Sequence, residues 1–135
     1  MAQTFKFELV SPEAKLISED VAMVTVPGEE GVFGVLPGHS PLLSSLQMGV
    51  IEVRKTGIND NNPRRVFVAG GFADVGAEHC TVLAEEAVDL ANLTVAGVDA
   101  EVGKLEAAFG LAEGHEKARL AARIEVAKAK RAALA

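Results

Sequence analysis

The sequence predicts a mainly β protein with a helical tail, a β-sandwich of about ten short strands followed by an antiparallel α-helical hairpin. Three features carry that prediction. Turn-forming residues are dense through the first 90 positions, apolar residues alternate there with period two, and the period lengthens to that of a helix after Leu90.

The first strand is the clearest. Phe5, Phe7 and Leu9 alternate with Lys6 and Glu8, as they must in an extended chain with one buried face. Ser11-Pro12 reads as the turn that follows. The segments Val21–Val26, Val50–Val53 and Val66–Ala69 are rich in β-branched residues, which suit a pleated, half-buried surface. Between and around them stand Pro27-Gly28, Gly31, Gly34, Pro37-Gly38, Asn59-Asp60-Asn61-Asn62-Pro63 and Gly70-Gly71, the punctuation of short strands joined by tight turns.

After Leu90, Val98, Val102, Leu105, Phe109 and Ala112 fall at spacings of four and three, one stripe of a helix. Gly114 interrupts, and Leu120, Ile124, Ala127 and Leu134 draw a second stripe in an alanine-rich segment of high helix propensity. The reading is therefore two domains, residues 1–90 and 91–135, the second a hairpin of two helices of about 15–18 residues. Gly103 and Gly110 should make its first helix the less regular one. Large apolar side chains are few in this hairpin, so it needs a neighbour to pack against. If two neighbours compete for the same stripes, it is a switch.

Bulk properties narrow the function. The chain has 135 residues, 49% apolar and 24% charged, with a net charge of −6, the profile of a globular protein rather than a disordered one. The acidity argues against nucleic acid as the principal partner. No stretch approaches the ~20 apolar residues of a membrane helix, and the start lacks the apolar run of a signal peptide, so any membrane association is expected to run through a partner. Charge is unevenly placed. Residues 1–90 hold six basic and thirteen acidic side chains, whereas residues 117–135 hold Lys117, Arg119, Arg123, Lys128, Lys130 and Arg131 against Glu125 alone. Such a basic face is either a solvated helix surface or a docking face for an acidic partner.

A search for reactive groups returns no catalytic constellation. Cys80 is the only cysteine, which excludes an internal disulfide and a four-cysteine zinc site. His79 and Cys80 are adjacent on a strand and so point to opposite faces; Cys80 reads as a small core hydrophobe. His39 and His115 lack metal-ligand neighbours at the usual spacing. Glu29-Glu30 and Glu85-Glu86 have no apolar setting that would separate their pKa values for acid–base work. The phosphate-loop pattern GxxxxGK[ST] does not occur. The expected class is a binding protein, with no metal, no cofactor and no catalytic residue.

One segment is more specific. Val26-Pro27-Gly28-Glu29-Glu30-Gly31-Val32-Phe33-Gly34-Val35-Leu36-Pro37-Gly38-His39-Ser40-Pro41-Leu42-Leu43 closely resembles the fingerprint of the epsilon subunit of F-type ATP synthases, G-E-x-G-x-F/L-G-x-L-P-G-H-x-P-L. Val68-Ala69-Gly70-Gly71-Phe72-Ala73-Asp74-Val75 and Thr81-Val82-Leu83-Ala84-Glu85-Glu86-Ala87 resemble two further motifs of that family, in the same order. The resemblance covers residues 1–90; in the tail it is architectural only.

The resemblance implies a non-catalytic rotor part of the central stalk, bound to the gamma subunit and the c-ring, peripheral to the cytoplasmic face of a bacterial plasma membrane. It implies that Gly28, Glu29, Glu30, Gly31, Phe33, Gly34, Pro37, Gly38, His39 and Pro41 belong to the gamma or c-ring interface. It also implies that the hairpin can extend toward the catalytic head and inhibit ATP hydrolysis, with Lys117, Arg119, Arg123, Lys128, Lys130 and Arg131 meeting the beta subunits. Some relatives bind ATP through an I/L-D-x-x-R-A motif. Here Val98-Asp99-Ala100-Glu101-Val102-Gly103 keeps Asp99 but has Val102 in place of the arginine, so nucleotide binding is not expected. The alternative reading is a free-standing interaction module of the same shape outside any ATP synthase.

Overall fold

The computed structural model describes residues 3–134. Eight strands come first: β1 (Phe5–Val10), β2 (Lys15–Val21), β3 (Met23–Gly28), β4 (Gly31–Val35), β5 (Leu42–Ser45), β6 (Gly49–Arg54), β7 (Arg64–Val75) and β8 (His79–Asp89). A short 3₁₀ turn at Leu90–Asn92 leads into α1 (Val95–Leu111) and α2 (Gly114–Ala133). The chain forms two compact units that divide between Asp89 and Leu90.

All eight strands belong to one sheet, in the order β2-β1-β8-β7-β6-β3-β4, with β5 paired to β7. Only β1 and β8 run parallel. The sheet folds over so that strands from both halves enclose a single core of Phe5, Phe7, Leu9, Val24, Val26, Ile51, Val53, Val66, Val68, Val75, Cys80 and Val82, among others. β1 buries Phe5, Phe7 and Leu9 and leaves Lys6 exposed, as its alternation requires.

The strand count is eight rather than about ten because two strands are long. β7 spans 12 residues and β8 spans 11. The first half of β7 pairs with β6, from Arg64 to Val68, and its second half pairs with β5, from Phe72 to Val75. Gly70-Gly71, expected to be a turn, lies inside β7. There the inward-facing residues change from Val66 and Val68 to Ala73 and Val75, and opposite them β8 changes from Ala87 to Ala84, Val82 and Cys80. The pairing register stays constant through the change, so no residue is inserted. The ladder itself turns over, which the backbone manages through two left-handed glycines, Gly70 at φ 78° and Gly71 at φ 122°. A side chain at Gly71 would run into the Leu83 carbonyl and the Ala84 backbone; only glycine fits.

Other boundaries also moved. Val21–Val26 is two strands broken at Ala22, and Gly34 sits within β4. In the second unit Thr94 caps α1, its hydroxyl accepting from the Gly97 N–H at 3.0 Å, which satisfies one of the free donors of the first turn. α1 then runs unbroken through Gly103 and Gly110, so the propensity penalty did not make it irregular. Gly114 opens α2 at φ 62° instead of standing between the helices, and α2, with 20 residues, is the longer helix against 17 in α1. No described helix is long and apolar enough to cross a membrane.

Candidate partner-binding surfaces

The fingerprint segment folds as a hairpin and a loop at one end of the sandwich. β3 and β4 pair from Val24↔Val35 out to Gly28↔Gly31, leaving Glu29 and Glu30 as an exposed two-residue turn. Gly31 has φ 138°, so the turn needs glycine there. Gly28 is buried, and a Cβ on it would come within 2.8 Å of the Phe33 ring. The Glu29 N–H donates to the Ser45 carbonyl at 2.9 Å and the Gln47 N–H to the Pro27 carbonyl at 2.9 Å, which fastens the tip of this hairpin to the end of β5.

Between the hairpin and β5 lies an open groove of about 530 Å³, lined by Gly28–Phe33 and Leu42–Ser45. Of the expected residues, Gly28, Glu29, Glu30, Gly31 and Phe33 line it, and Gly34, Pro37, Gly38, His39 and Pro41 do not. Val32 and Leu43 do, each 71% exposed. These two were not singled out from the sequence, because an apolar residue in a strand reads as core until the strand's place in the sheet is known. Their signal was faint: Val32-Phe33 and Leu42-Leu43 break the alternation.

Of the remaining residues, Gly34 lies within β4, and Pro37, Gly38, His39 and Pro41 belong to the loop of residues 36–41. Gly38, at φ 86°, donates its N–H to the Ala77 carbonyl at 2.8 Å, and the His39 N–H closes a turn onto the Leu36 carbonyl at 3.2 Å. The His39 ring is half-buried, with its centroid 6.5 Å from that of Phe33. Its Nδ1 lies 2.7 Å from the Ser40 carbonyl. A carbonyl can only accept, so Nδ1 is the donor in this contact.

A second apolar surface was also missed. Phe72 and Leu83 are cross-strand partners on the outward face of β7 and β8 and are both about half exposed. They border a shallow groove of about 320 Å³ with Val10 and Pro12. Paired apolar side chains left on an outer sheet face suit a partner surface.

Electrostatics in the hairpin unit differ from an open basic face. Arg119 makes a two-pronged contact with Glu116 on its own helix, both distances 2.9 Å, and Lys117 sits 4.8 Å above the Phe109 ring. Lys128, Lys130 and Arg131 pair across to Glu106, Glu101 and Asp99 of α1. Asp99, the surviving residue of the degenerate nucleotide motif, is thus engaged by Arg131 at 3.0 Å.

Cys80 is fully buried in the sandwich core, and its thiol is pushed up to about 12 by that burial and, secondarily, by the charge of Asp74. It is a neutral core side chain at any physiological pH. In the native protein it should react with a thiol reagent at least about 100-fold more slowly than free cysteine, whose pKa is near 8.5. Ellman titration before and after unfolding checks this; fast native labelling would contradict it.

A small sandwich with an open groove of mixed polarity beside the β3–β4 hairpin and an apolar pair on its outer face presents surfaces suited to binding a partner. The family model for the beta-sandwich domain of the ATP synthase Delta/Epsilon chain matches residues 4–90. The ATP synthase epsilon chain of Rhodospirillum rubrum is 48% identical over 135 residues, covering 97% of this chain and 98% of its own. That of Paramagnetospirillum magneticum is 42% identical over 136 residues, covering 100% of both chains. Among solved structures, a chain of the Euglena gracilis mitochondrial ATP synthase OSCP/F1/c-ring assembly superposes with a TM-score of 0.78 at 22% identity, covering 98% of this chain and 82% of that one. A chain of the Tetrahymena thermophila mitochondrial ATP synthase central stalk and c-ring gives 0.55 at 17%, covering 67% and 69%. This chain belongs to the ATP synthase delta/epsilon family and, by its relatives, to the epsilon chains.

Proposed function

We propose that the protein is the non-catalytic epsilon subunit of the central stalk of an F-type ATP synthase, binding the gamma subunit and the c-ring so that rotation of the ring is passed to the shaft. The observation that carries this is the coincidence of the family fingerprint with an exposed structural feature. The hairpin Val24–Val35 and the strand Leu42–Ser45 together make a groove edged by Val32 and Leu43. A coupling part needs rigid, static contacts. The glycine-shaped hairpin tip, tied by two backbone bonds to Ser45 of β5 and to Gln47 just beyond it, supplies a stiff one, and the Phe72–Leu83 face supplies a second for another partner. In such an assembly the protein is peripheral to the membrane, on the cytoplasmic face in a bacterium, which its α-proteobacterial relatives favour. The hairpin unit is the candidate regulatory arm, able to restrain ATP hydrolysis when it reaches the catalytic head.

Binding of the full chain to a purified gamma–c-ring subcomplex tests this by calorimetry, with saturation near one copy per gamma as the expected result and no binding as the contrary one. In the same titration His39→Ala should weaken association several-fold and leave the melting temperature unchanged, since the bond it loses is local and solvent-facing. A drop in melting temperature with unchanged affinity would assign His39 to loop closure alone.

A further inference from the structure

We propose that the open edge of β4 is a strand-addition site, which takes an extended segment of the stalk partner carrying a basic residue beside Glu29 and Glu30. The proposal rests on the reading of the protein as a stalk subunit and adds the form and charge of what docks there.

The sheet ends in two strands, β2 and β4. An end strand presents a row of unused N–H and C=O groups to any passing chain, and proteins guard such edges with charge, proline or a bulge. β2 is guarded. It carries Lys15, Glu19 and Asp20, with Lys15 paired to Glu8 at 2.8 Å and Glu19 to Lys55 at 3.2 Å, and its register with β1 shifts between Leu9 and Val10. β4 reads Gly31-Val32-Phe33-Gly34-Val35 and has none of these devices. β5 is also paired on one side only, but it has four residues and its Ser45 carbonyl already accepts from the Glu29 N–H.

The direction of the β4 peptide groups follows from Pro27. Along an antiparallel pair, residues whose peptide groups bond the neighbour alternate with residues whose groups point away. Pro27 has no N–H, and its carbonyl accepts at 2.9 Å from Gln47, in the segment that leads into β6 on the other side of β3. Its partner across the pair is Val32, so Val32 turns its own N–H and C=O away from β3. Gly34, two residues on, does the same. Both residues are exposed, and no strand lies beyond them. An incoming strand can bond these four groups without any change in β4, the means by which extended peptides add to a sheet.

Charge chooses the occupant. Glu29 and Glu30 stand exposed at the start of β4, and among the described residues neither is in an ion pair. A lysine or arginine on the added strand meets them there and fixes its register, while Val32, 71% exposed, offers an apolar contact beside it. A second copy of this edge answers poorly, because residues 29–38 hold no lysine or arginine.

Amide-to-ester exchange at Val32 and at Gly34, one at a time, replaces the outward N–H by oxygen and keeps the side chains. In calorimetric titration against a purified gamma–c-ring subcomplex, each exchange should weaken association roughly three- to tenfold, the worth of one hydrogen bond. Glu29→Lys with Glu30→Lys should weaken it about tenfold at low salt and much less at high salt, where exposed charges are screened. Should an ester variant fail to fold, hydrogen exchange of the unaltered chain carries the test. Its Val32 and Gly34 amides should exchange at least about 100-fold more slowly in the complex than free. A subcomplex that binds the native chain but is indifferent to the esters, or leaves both amides exchanging freely, overturns the strand-addition site and keeps the stalk reading. Affinity unchanged by the charge reversal overturns the basic occupant. Self-association of the free chain that the esters abolish gives the edge to a second copy and overturns the proposal, and no binding by the native chain overturns both readings.

Discussion

Gly71→Ala is expected to lower the melting temperature of the protein by about 15 °C, which makes it among the most damaging single-methyl changes available in the sandwich. Two effects add. At φ 122° an alanine is strained whatever its surroundings, a penalty of about 1–3 kcal/mol. The new Cβ also has no room, because the groups it meets are the Leu83 carbonyl and the Ala84 backbone, which cannot swing aside as a side chain could. A total near 3 kcal/mol or above shifts the midpoint of a unit this size by roughly 4–8 °C for each kcal/mol. Gly70→Ala provides the internal comparison. Its φ of 78° carries strain too, but its Cβ would meet only the movable end of the Glu85 side chain, so its loss should be clearly smaller. Differential scanning calorimetry of the two variants decides. Equal losses, or a negligible loss for Gly71→Ala, would mean that the ladder does not turn over at this pair.

Val32→Glu combined with Leu43→Glu should weaken binding to a gamma–c-ring subcomplex by about 100-fold. Anchors at the centre of an interface carry most of its energy, about 2 kcal/mol or more when an apolar one is lost, and a buried unpaired carboxylate adds its own desolvation cost. Both side chains are 71% exposed in the free protein, so the same changes should leave its melting temperature within a degree or two. Calorimetric titration alongside a melting curve separates the two quantities. Unchanged affinity would move the interface away from the Gly28–Ser45 groove, with the Phe72–Leu83 face as the next surface to alter.

The fold was legible where one physical rule acted alone. The alternation of Phe5, Phe7 and Leu9 fixed β1 and its inward side, and the four-and-three spacing from Val98 to Phe109 fixed α1 and its stripe. It was misread where two structures share one local signal. A glycine pair between β-branched runs marks a turn or a ladder that turns over inside a strand, and Gly70-Gly71 is the second. Gly114 reads as a break but serves as the left-handed entry to α2. The penalty of Gly103 and Gly110 was real as a propensity, yet a Thr94 cap and partners on α2 hold α1 regular across both.

The candidate site was legible as a motif and not as a surface. Its motif stood out because a long, mixed run of Gly, Pro, Glu and His is improbable by chance, but a motif does not say which of its residues reach the surface. Exposure of Val32 and Leu43 follows from the edge position of β4 and the short β5, both tertiary facts. The inter-helix ion pairs were hidden for the same reason. Asp99 and Arg131 are 32 residues apart, and only the packed hairpin brings them to 3.0 Å. From the sequence, the cations of α2 read as either a solvated helix face or a docking face for an acidic partner; in the fold, Lys128, Lys130 and Arg131 already face carboxylates of α1.

Proton-driven ATP synthesis by membranes stripped of their epsilon subunit tests the stalk reading most directly. Adding this protein back should restore synthesis in proportion to the amount that rebinds, with one copy per gamma at saturation. Membranes that regain synthesis with their own extracted subunit, but neither bind this protein nor respond to it, would contradict the reading.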